Sequence, residues 1–442
     1  MKTGSFNFFY ALLICVLIFI SKTAPCSAQT PSAAKYRDFN CFMRNHAGLD
    51  RDGASDAALI INTTASNISD DDKKTNLEKS EKLYFKYESE IKKLVGEFDK
   101  IMAEKVPPYD EARAANSRTT DKSLEFNYCR NLAKLLKAVS NYLLIKGRYE
   151  ESLKLILIGF KFGQIIAAGD GESPSLLMHL IGISIKTVAL SGPETQAALL
   201  RANFTADRYD ELSKLVERMA SEDIAFQDVL KSDQTRMKNL IKYELSASGN
   251  PGLFFMDPAN MKMMNNLSVR QKADIEKLTI EKLDSIETAI NEALSKFSDR
   301  PYLASIEMTR ISDEITRNAA PSFFQSLFNK PEAISKLIVG ICYPNFTKIF
   351  EQCLAGVYRT DGLKFLCRIL KNFKEKDNWP ASLAEVEKIC ETSLSRDVFS
   401  RSDEPLIFMR DKNRLLLYSR GLDHNDDRGN AQKDVILFEV RL

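Results

Sequence analysis

Histidine is scarce, with three residues in 442. Acid–base catalysis near neutral pH relies on imidazole more than on any other side chain, so few groups are left to carry it. There is no Gly-x-Ser-x-Gly elbow, no glycine-rich loop ending in Lys-Ser/Thr and no His-Glu-x-x-His. Their absence removes the sequence signs of an α/β-hydrolase nucleophile, a nucleotide-phosphate cradle and a zinc protease. No Cys-x-x-Cys occurs either, which argues against structural zinc. Ser-x-x-Lys appears at Ser32–Lys35 and Ser89–Lys92, but so short a pattern arises by chance in a lysine-rich chain.

Excess charge is missing too. The chain carries 62 Lys and Arg against 60 Asp and Glu. Two of those lysines, Lys2 and Lys22, lie in residues 1–28, where there is no acid, so the remainder is formally neutral. A nucleic-acid binder would show a net basic face or a clustered basic patch, and neither is visible. No nucleic-acid partner is expected.

What is present begins with an address. An apolar run from Phe6 to Ile20 follows Lys2 and ends at Ser21-Lys22. At about 15 residues it is short of the roughly 20 that a membrane span needs. Cys26-Ser27-Ala28 supplies small residues for cleavage before Gln29. The pattern predicts an exported protein, whether periplasmic, held in the cell envelope or secreted. It would touch a membrane only through this segment if the segment stays uncleaved. Export leaves Cys41, Cys129, Cys342, Cys353, Cys367 and Cys390. An even number permits disulfides, and buried small hydrophobes account for the same residues equally well. On one straight helix Cys353 and Cys367 would lie about 21 Å apart, too far to bond. A helix break at Asp361-Gly362 would bring them together.

The middle of the chain is organised around residues 132–168. Leu132, Leu135, Leu136, Val139, Leu143 and Leu144 repeat with helical spacing, as do Leu153, Ile156, Leu157 and Phe160 after a turn at Lys146-Gly147-Arg148. A lone hairpin cannot bury both stripes, so further helices must close over it. Gly147-x-Tyr149, Ser152, Ile156 and Gly159 resemble the second helix of a tetratricopeptide unit, although no period near 34 residues recurs. A charged amphipathic helix is predicted over 73–104, with Leu77, Leu83, Ile91, Leu94, Phe98 and Ile101 inward. Others are predicted within 206–245 and over 268–297. The apolar stretch 176–190, interrupted by His179 and Lys186, reads as a core helix with His179 as a core histidine. Asp50 to Gly53 reads as a turn, and Met256, Met261, Met263 and Met264 as core fillers.

Beyond about Ala355 the texture changes to one more helix, then Trp379-Pro380, a short helix from Ser382, and strand-like runs at 414–419 and 434–440. Between those runs Asp423, Asn425 and Asp427 stand at i, i+2 and i+4, with Asp426 among them and Asp434 at i+11. A calcium loop spaces its oxygens in this way; Asp-, Asn- and Gly-rich hairpin turns look the same. Lys371-x-Phe373, Trp379-Pro380-x-Ser382-Leu383, Asp397, Pro405, Tyr418-Ser419-x-Gly421, Asp423, Asp427 and Asp434-Val435-Ile436 together resemble the globular domain of the major pseudopilin of type II secretion. The resemblance implies a helix leading into a small sheet and calcium held by Asp423, Asp426, Asp427 and Asp434. It covers about a fifth of the chain, and Phe9 stands where a pseudopilin stem carries its Glu. The whole layout is also similar to exported helical proteins of planctomycete-type bacteria.

The expectation is a mainly α protein, a helical-hairpin bundle with a small α+β C-terminal module. Its divisions are a signal at 1–28, a low-order segment at 29–72, a helical domain at 73–354 and a pseudopilin-like module at 355–442. The expected function is a non-catalytic envelope or extracellular interaction protein with a protein partner and a calcium-fastened loop. A secretion-apparatus component and a carboxylate-dependent hydrolase stand as alternatives.

Overall fold

A computed structural model describes residues 70–106, 123–169, 175–190, 193–246, 266–319, 330–342, 346–421, 423–430 and 433–441. The expected signal, the low-order segment up to residue 69 with Cys41 and Asp50–Gly53, and the four methionines at 256–264 lie outside these residues.

The predicted helix over 73–104 is three helices, α1 (Asp70–Lys86), α2 (Glu88–Gly96) and α3 (Phe98–Ala103). They bend at Tyr87 and Glu97, yet the i→i−4 ladder continues through both, as in Ile91 N–H to Tyr87 O at 2.9 Å and Ile101 N–H to Glu97 O at 3.0 Å. Leu83, Ile91, Leu94, Phe98 and Ile101 are buried as the periodicity requires, and Leu77 is half-buried.

The central hairpin is α4 (Ser123–Ile145) and α5 (Tyr149–Ala167). Gly147, at φ +77°, lets Arg148 N–H reach Leu143 O at 2.9 Å while its own N–H reaches Leu144 O at 3.1 Å. This is a Schellman ending, which needs a residue that tolerates the left-handed region. Ser140 and Ser152 hold the two helices close, with hydroxyls 2.9 Å apart and Ser152 Oγ donating to Ser140 O at 2.9 Å.

α6 (Leu176–Leu190) crosses α5 at two glycines. A Cβ on Gly163 would lie 2.6 Å from Lys186 Cγ and 2.7 Å from Gly182 O, so the backbones meet where no side chain fits. α7 (Pro193–Ala202) and α8 (Ala206–Ser221) complete the enclosure of α5, which is buried from Ser152 to Ala167 apart from Lys154. A second group packs separately: α9 (Phe226–Leu245), α10 (Val269–Lys296), α11 (Pro301–Ala319) and α12 (Lys330–Cys342). α10 begins at a capping box in which Ser268 and Gln271 satisfy each other's backbone N–H.

One helix joins the two groups. α13 (Phe346–Lys376) buries Phe346, Ile349 and Phe350 in the second core and Leu363, Leu366, Ile369 and Leu370 in the first. The expected division at 354/355 falls inside it. The expected break at Asp361-Gly362 does not form: the helix runs straight on, so Cys353 and Cys367 stay far apart along it, and both are free thiols, as are Cys129 and Cys390.

After α14 (Leu383–Cys390), capped by Ser382, the chain forms an antiparallel sheet of β1 (Ile407–Arg410), β2 (Arg414–Ser419) and β3 (Val435–Arg441), in that spatial order. β2 and β3 were legible in the sequence; β1 adds a third strand. The β2–β3 register skips Leu437, and its carbonyl presses on Gly362 of α13, where a Cβ would sit 2.5 Å from the carbonyl carbon. Leu415, Leu417, Leu437, Phe438 and Val440 belong to the same core as the central hairpin. The protein is therefore mainly α with a small α+β C-terminal part, as the sequence predicts.

Candidate functional site

The acidic loop between β2 and β3 folds back over the sheet. Gly421, at φ +70°, packs on the returning chain, where an added Cβ would lie 3.0 Å from Asp434 Cα. Gly429 fits against Leu416 of β2. Asp434 is the hub, only 3% exposed. Its Oδ2 accepts from Gly429 N–H at 2.8 Å and Asn430 N–H at 2.9 Å, and its Oδ1 from Asp427 N–H at 3.4 Å. Burial pushes its carboxyl upward in pKa against the opposing pull of those three donors.

The other acids are used nearby. Asp423 Oδ1 accepts from Asn425 N–H at 3.1 Å, an Asx turn, and Asn425 itself is exposed. Asp426 Oδ1 accepts from the Tyr418 hydroxyl and from Arg428 N–H, both at 2.9 Å. Asp427 Oδ1 takes Lys433 Nζ at 2.8 Å, while its Oδ2 is buried without a hydrogen bond. The fold thus brings Asp427 and Asp434 together and turns Asp423 and Asp426 towards other partners. Among the described residues no three Asp, Glu, His or Cys side chains converge on one point.

The Tyr418-Ser419-x-Gly421 stretch has a direct physical role here. Ser419 Oγ donates at 2.6 Å to Asp397, which is 1% exposed and also accepts from Phe399 N–H and Arg420 N–H at 3.0 Å. Asp397 thereby pins the 396–404 segment to the end of β2. Tyr418 ties the acidic loop to the sheet, and Gly421 closes its stem.

A second polar cluster lies where α5, α6, α8 and α13 meet, and sequence reading did not assemble it. Lys161 is fully buried and paired with Glu222. Lys186 Nζ bonds both oxygens of Asp223 at 2.9 Å. Gln164 Nε2 donates to Met219 O at 2.5 Å and to Asp223 Oδ1 at 2.9 Å. These cations and the amide sit at the C-terminal end of α8, where the last carbonyls want donors. Beside them His179 Nε2 lies 3.3 Å from Cys353 Sγ. Burial, reinforced by Lys186, takes the His179 pKa down to about 4, and burial pushes the Cys353 thiol up to about 12. Both groups are therefore neutral at pH 7, a buried thiol beside a neutral imidazole rather than an activated thiolate pair. The available signal was Lys161, Gln164 and Lys186 interrupting apolar helices; their partners lie 37 to 61 residues away.

Comparison with protein-family models, with curated proteins and with solved structures finds no match for this chain. The function therefore rests on its own residues.

Proposed function

We propose that the protein is a non-catalytic, exported interaction or scaffold protein of the cell envelope or extracellular space. One surface feature carries this reading. Phe85 at the end of α1 is 60% exposed and Ile145 at the end of α4 is 57% exposed. The buried Tyr142 ring, one turn before Ile145, lies 6.3 Å from Phe85, with Lys146 Nζ 5.3 Å above it. Exposed aromatic and aliphatic side chains beside a polar rim, here Lys146 paired with Glu81 at 3.3 Å, have the composition of a protein contact surface. Behind them α4 packs on α1, α5, α6 and α7 in the first core. The apolar run at residues 6–20 supports export.

A photocrosslinking amino acid in place of Phe85, activated in the producing cell, tests the reading. The expected outcome is a discrete adduct that disappears when Ile145→Ser is added. Equal labelling from Val269, an isolated apolar residue that is 74% exposed, would show that position 85 marks no specific surface.

A second reading adds calcium at the C-terminal loop, and the buried, unbonded Asp427 Oδ2 favours it. Asp427 and Asp434 would hold the ion, with Asp423, Asn425 and Asp426 contributing from the same loop. Hard oxygen donors of this kind suit calcium. A calcium-dependent rise in the unfolding midpoint, absent in Asp423→Ala plus Asp427→Ala, supports it; equal midpoints in calcium and chelator sink it. The related reading as a secretion-apparatus component draws on the long α13, which is followed after α14 by the antiparallel sheet and packs on β3 through Gly362. Its test is co-fractionation with a membrane assembly.

A further inference from the structure

Arg359 stands apart from the other half-buried arginines of the C-terminal half. It lies on α13, three residues after Gly356, which faces Ile183 of α6, and three before Gly362, which faces Leu437 of β3. Positions three apart share a helix face, so Arg359 sits where α13, α6 and β3 come together. Its Nη1 is sealed from solvent and makes no hydrogen bond, and no ion pair to it forms among the described residues. The residue is half-buried, and Nε and Nη2 are not among the sealed nitrogens, so the guanidinium is closed at Nη1 and open along its other edge.

The contrast with its neighbours is direct. Arg368, farther along the same helix, is held by Cys390 O, Ser213 Oγ and Glu217. Arg420 has Asp397, Glu404 and Pro405 O. Carboxylates on the elements around Arg359 are engaged elsewhere: Glu351 with Ser305 at 2.5 Å, Asp361 with Lys364 at 3.1 Å, Glu439 with Arg414 at 3.0 Å, Asp397 with Ser419 and Arg420, and Asp434 with backbone N–H groups. Burial lowers the Arg359 pKa, and no neighbouring charge opposes that shift. A guanidinium stays protonated regardless, so it carries a desolvated charge that no described residue balances.

We infer that Arg359 is the anchor of an oxyanion-binding site, in which a carboxylate or phosphate group from outside the chain supplies the missing charge. The planar fork of the guanidinium matches two oxygens of either group. A bound oxyanion would engage the open edge of the guanidinium and balance its charge, while Nη1 stays on the closed side.

Thermal unfolding of the full chain in sodium phosphate, sodium acetate and sodium chloride at equal ionic strength tests this, with wild type beside Arg359→Met. Phosphate and acetate act on any folded chain by exclusion from its surface, so the difference between the two proteins is the readout. The expected result is a rise in the wild-type midpoint of roughly 2 °C or more beyond that of R359M, in at least one of the two anions. A larger response to phosphate assigns a phosphate group, and a larger response to acetate assigns a carboxylate. In chloride, R359M should be no less stable than wild type, since methionine keeps the aliphatic contacts and removes an unbalanced charge. Equal anion responses in the two proteins overturn the inference. So does a marked loss of stability in R359M, which would mean that Arg359 is paired inside the fold. Arg359→Gln serves as a second variant and should show the same loss of anion response.

Discussion

The junction of α5, α6 and α8 and the loop between β2 and β3 both concentrate charge, and they satisfy it in opposite ways. At the junction each charge meets its partner across 37 to 61 residues of sequence. In the loop, acid and donor are two to eight residues apart, as Asp423 to Asn425 and Asp426 to Tyr418 show. The loop can therefore organise as soon as β2 and β3 pair, because little chain entropy stands between its partners. The junction exists only when three helices have packed. Its charges then stand in a low-dielectric interior, where an unmatched one is costly.

The comparison is broken most severely at Asp223. Removing its carboxylate in Asp223→Ala leaves Lys186, only 10% exposed, without its counter-charge. The expected loss is about 3–4 kcal/mol, the lower part of the range for a broken buried pair because Asp223 is itself partly exposed. Urea unfolding measures it. Asp223→Leu combined with Lys186→Met should recover most of the loss, since neither charge then remains. A loss no larger than that of any loop acid would erase the distinction between the two regions.

Acid sharpens the same contrast through His179. Its folded pKa of about 4 lies below the ordinary value of 6.5. Between those values the unfolded chain binds the proton and the folded chain does not, so stability falls as pH drops from about 6.5 to about 4. One proton over that window is worth up to about 3 kcal/mol at 1.4 kcal/mol per pH unit. His179→Gln should flatten the pH dependence by that amount between pH 6.5 and 4, measured as the difference between two chemical-denaturation series. Parallel curves would show that His179 is solvated or paired in the folded protein. The loop contains no comparably buried base, and His424 there hydrogen-bonds Phe399 O through Nδ1.

These two regions also mark what the sequence shows and what it hides. Helical spacing placed Leu135, Val139, Ile156 and Phe160 inward, and each is buried. Gly147 announced the hairpin turn, because a Schellman ending depends on a single residue type at a single position. Strands β2 and β3 were visible from the apolar runs Leu415–Tyr418 and Val435–Phe438. β1 was missed because Ile407–Arg410 is four residues long and follows Pro405, too short for periodicity to register. The bends at Tyr87 and Glu97 were missed because the apolar phase carries through them. The loop residues were found by spacing, which is local; their partners were not, since spacing does not say whether Asp434 faces an ion or its own backbone. Lys161 with Glu222 and Lys186 with Asp223 were invisible for the opposite reason. Each member looks like an ordinary charged residue until the helices cross at Gly163 and Gly182.

Asp434 tests the loop from its centre. Asp434→Ala removes the acceptor for three backbone N–H groups and leaves a small void under Gly429. The expected loss is about 2 kcal/mol, within the range for buried donors left unsatisfied. It should appear as faster amide exchange confined to Asp427, Gly429 and Asn430, with the helical cores protected as before. Exchange spreading into α5 or α6 would mean that the loop supports the interior and is not a self-contained unit.

The smallest effect is expected at the rim. Asp423 contributes one Asx-turn hydrogen bond at 3.1 Å on a partly exposed side chain. Without added calcium, Asp423→Ala should change stability by no more than about 0.5 kcal/mol, as surface substitutions do. With calcium the two readings of the loop part company. If the acids serve only their own backbone, wild type and D423A unfold at the same midpoint with or without the ion. If Asp423 turns from Asn425 to help hold a cation, calcium raises the wild-type midpoint and the variant lags behind it. The size of that lag, set beside the effect of Asp434→Ala in chelator, separates the part of the loop's stability that is built into its backbone from the part that an ion would add.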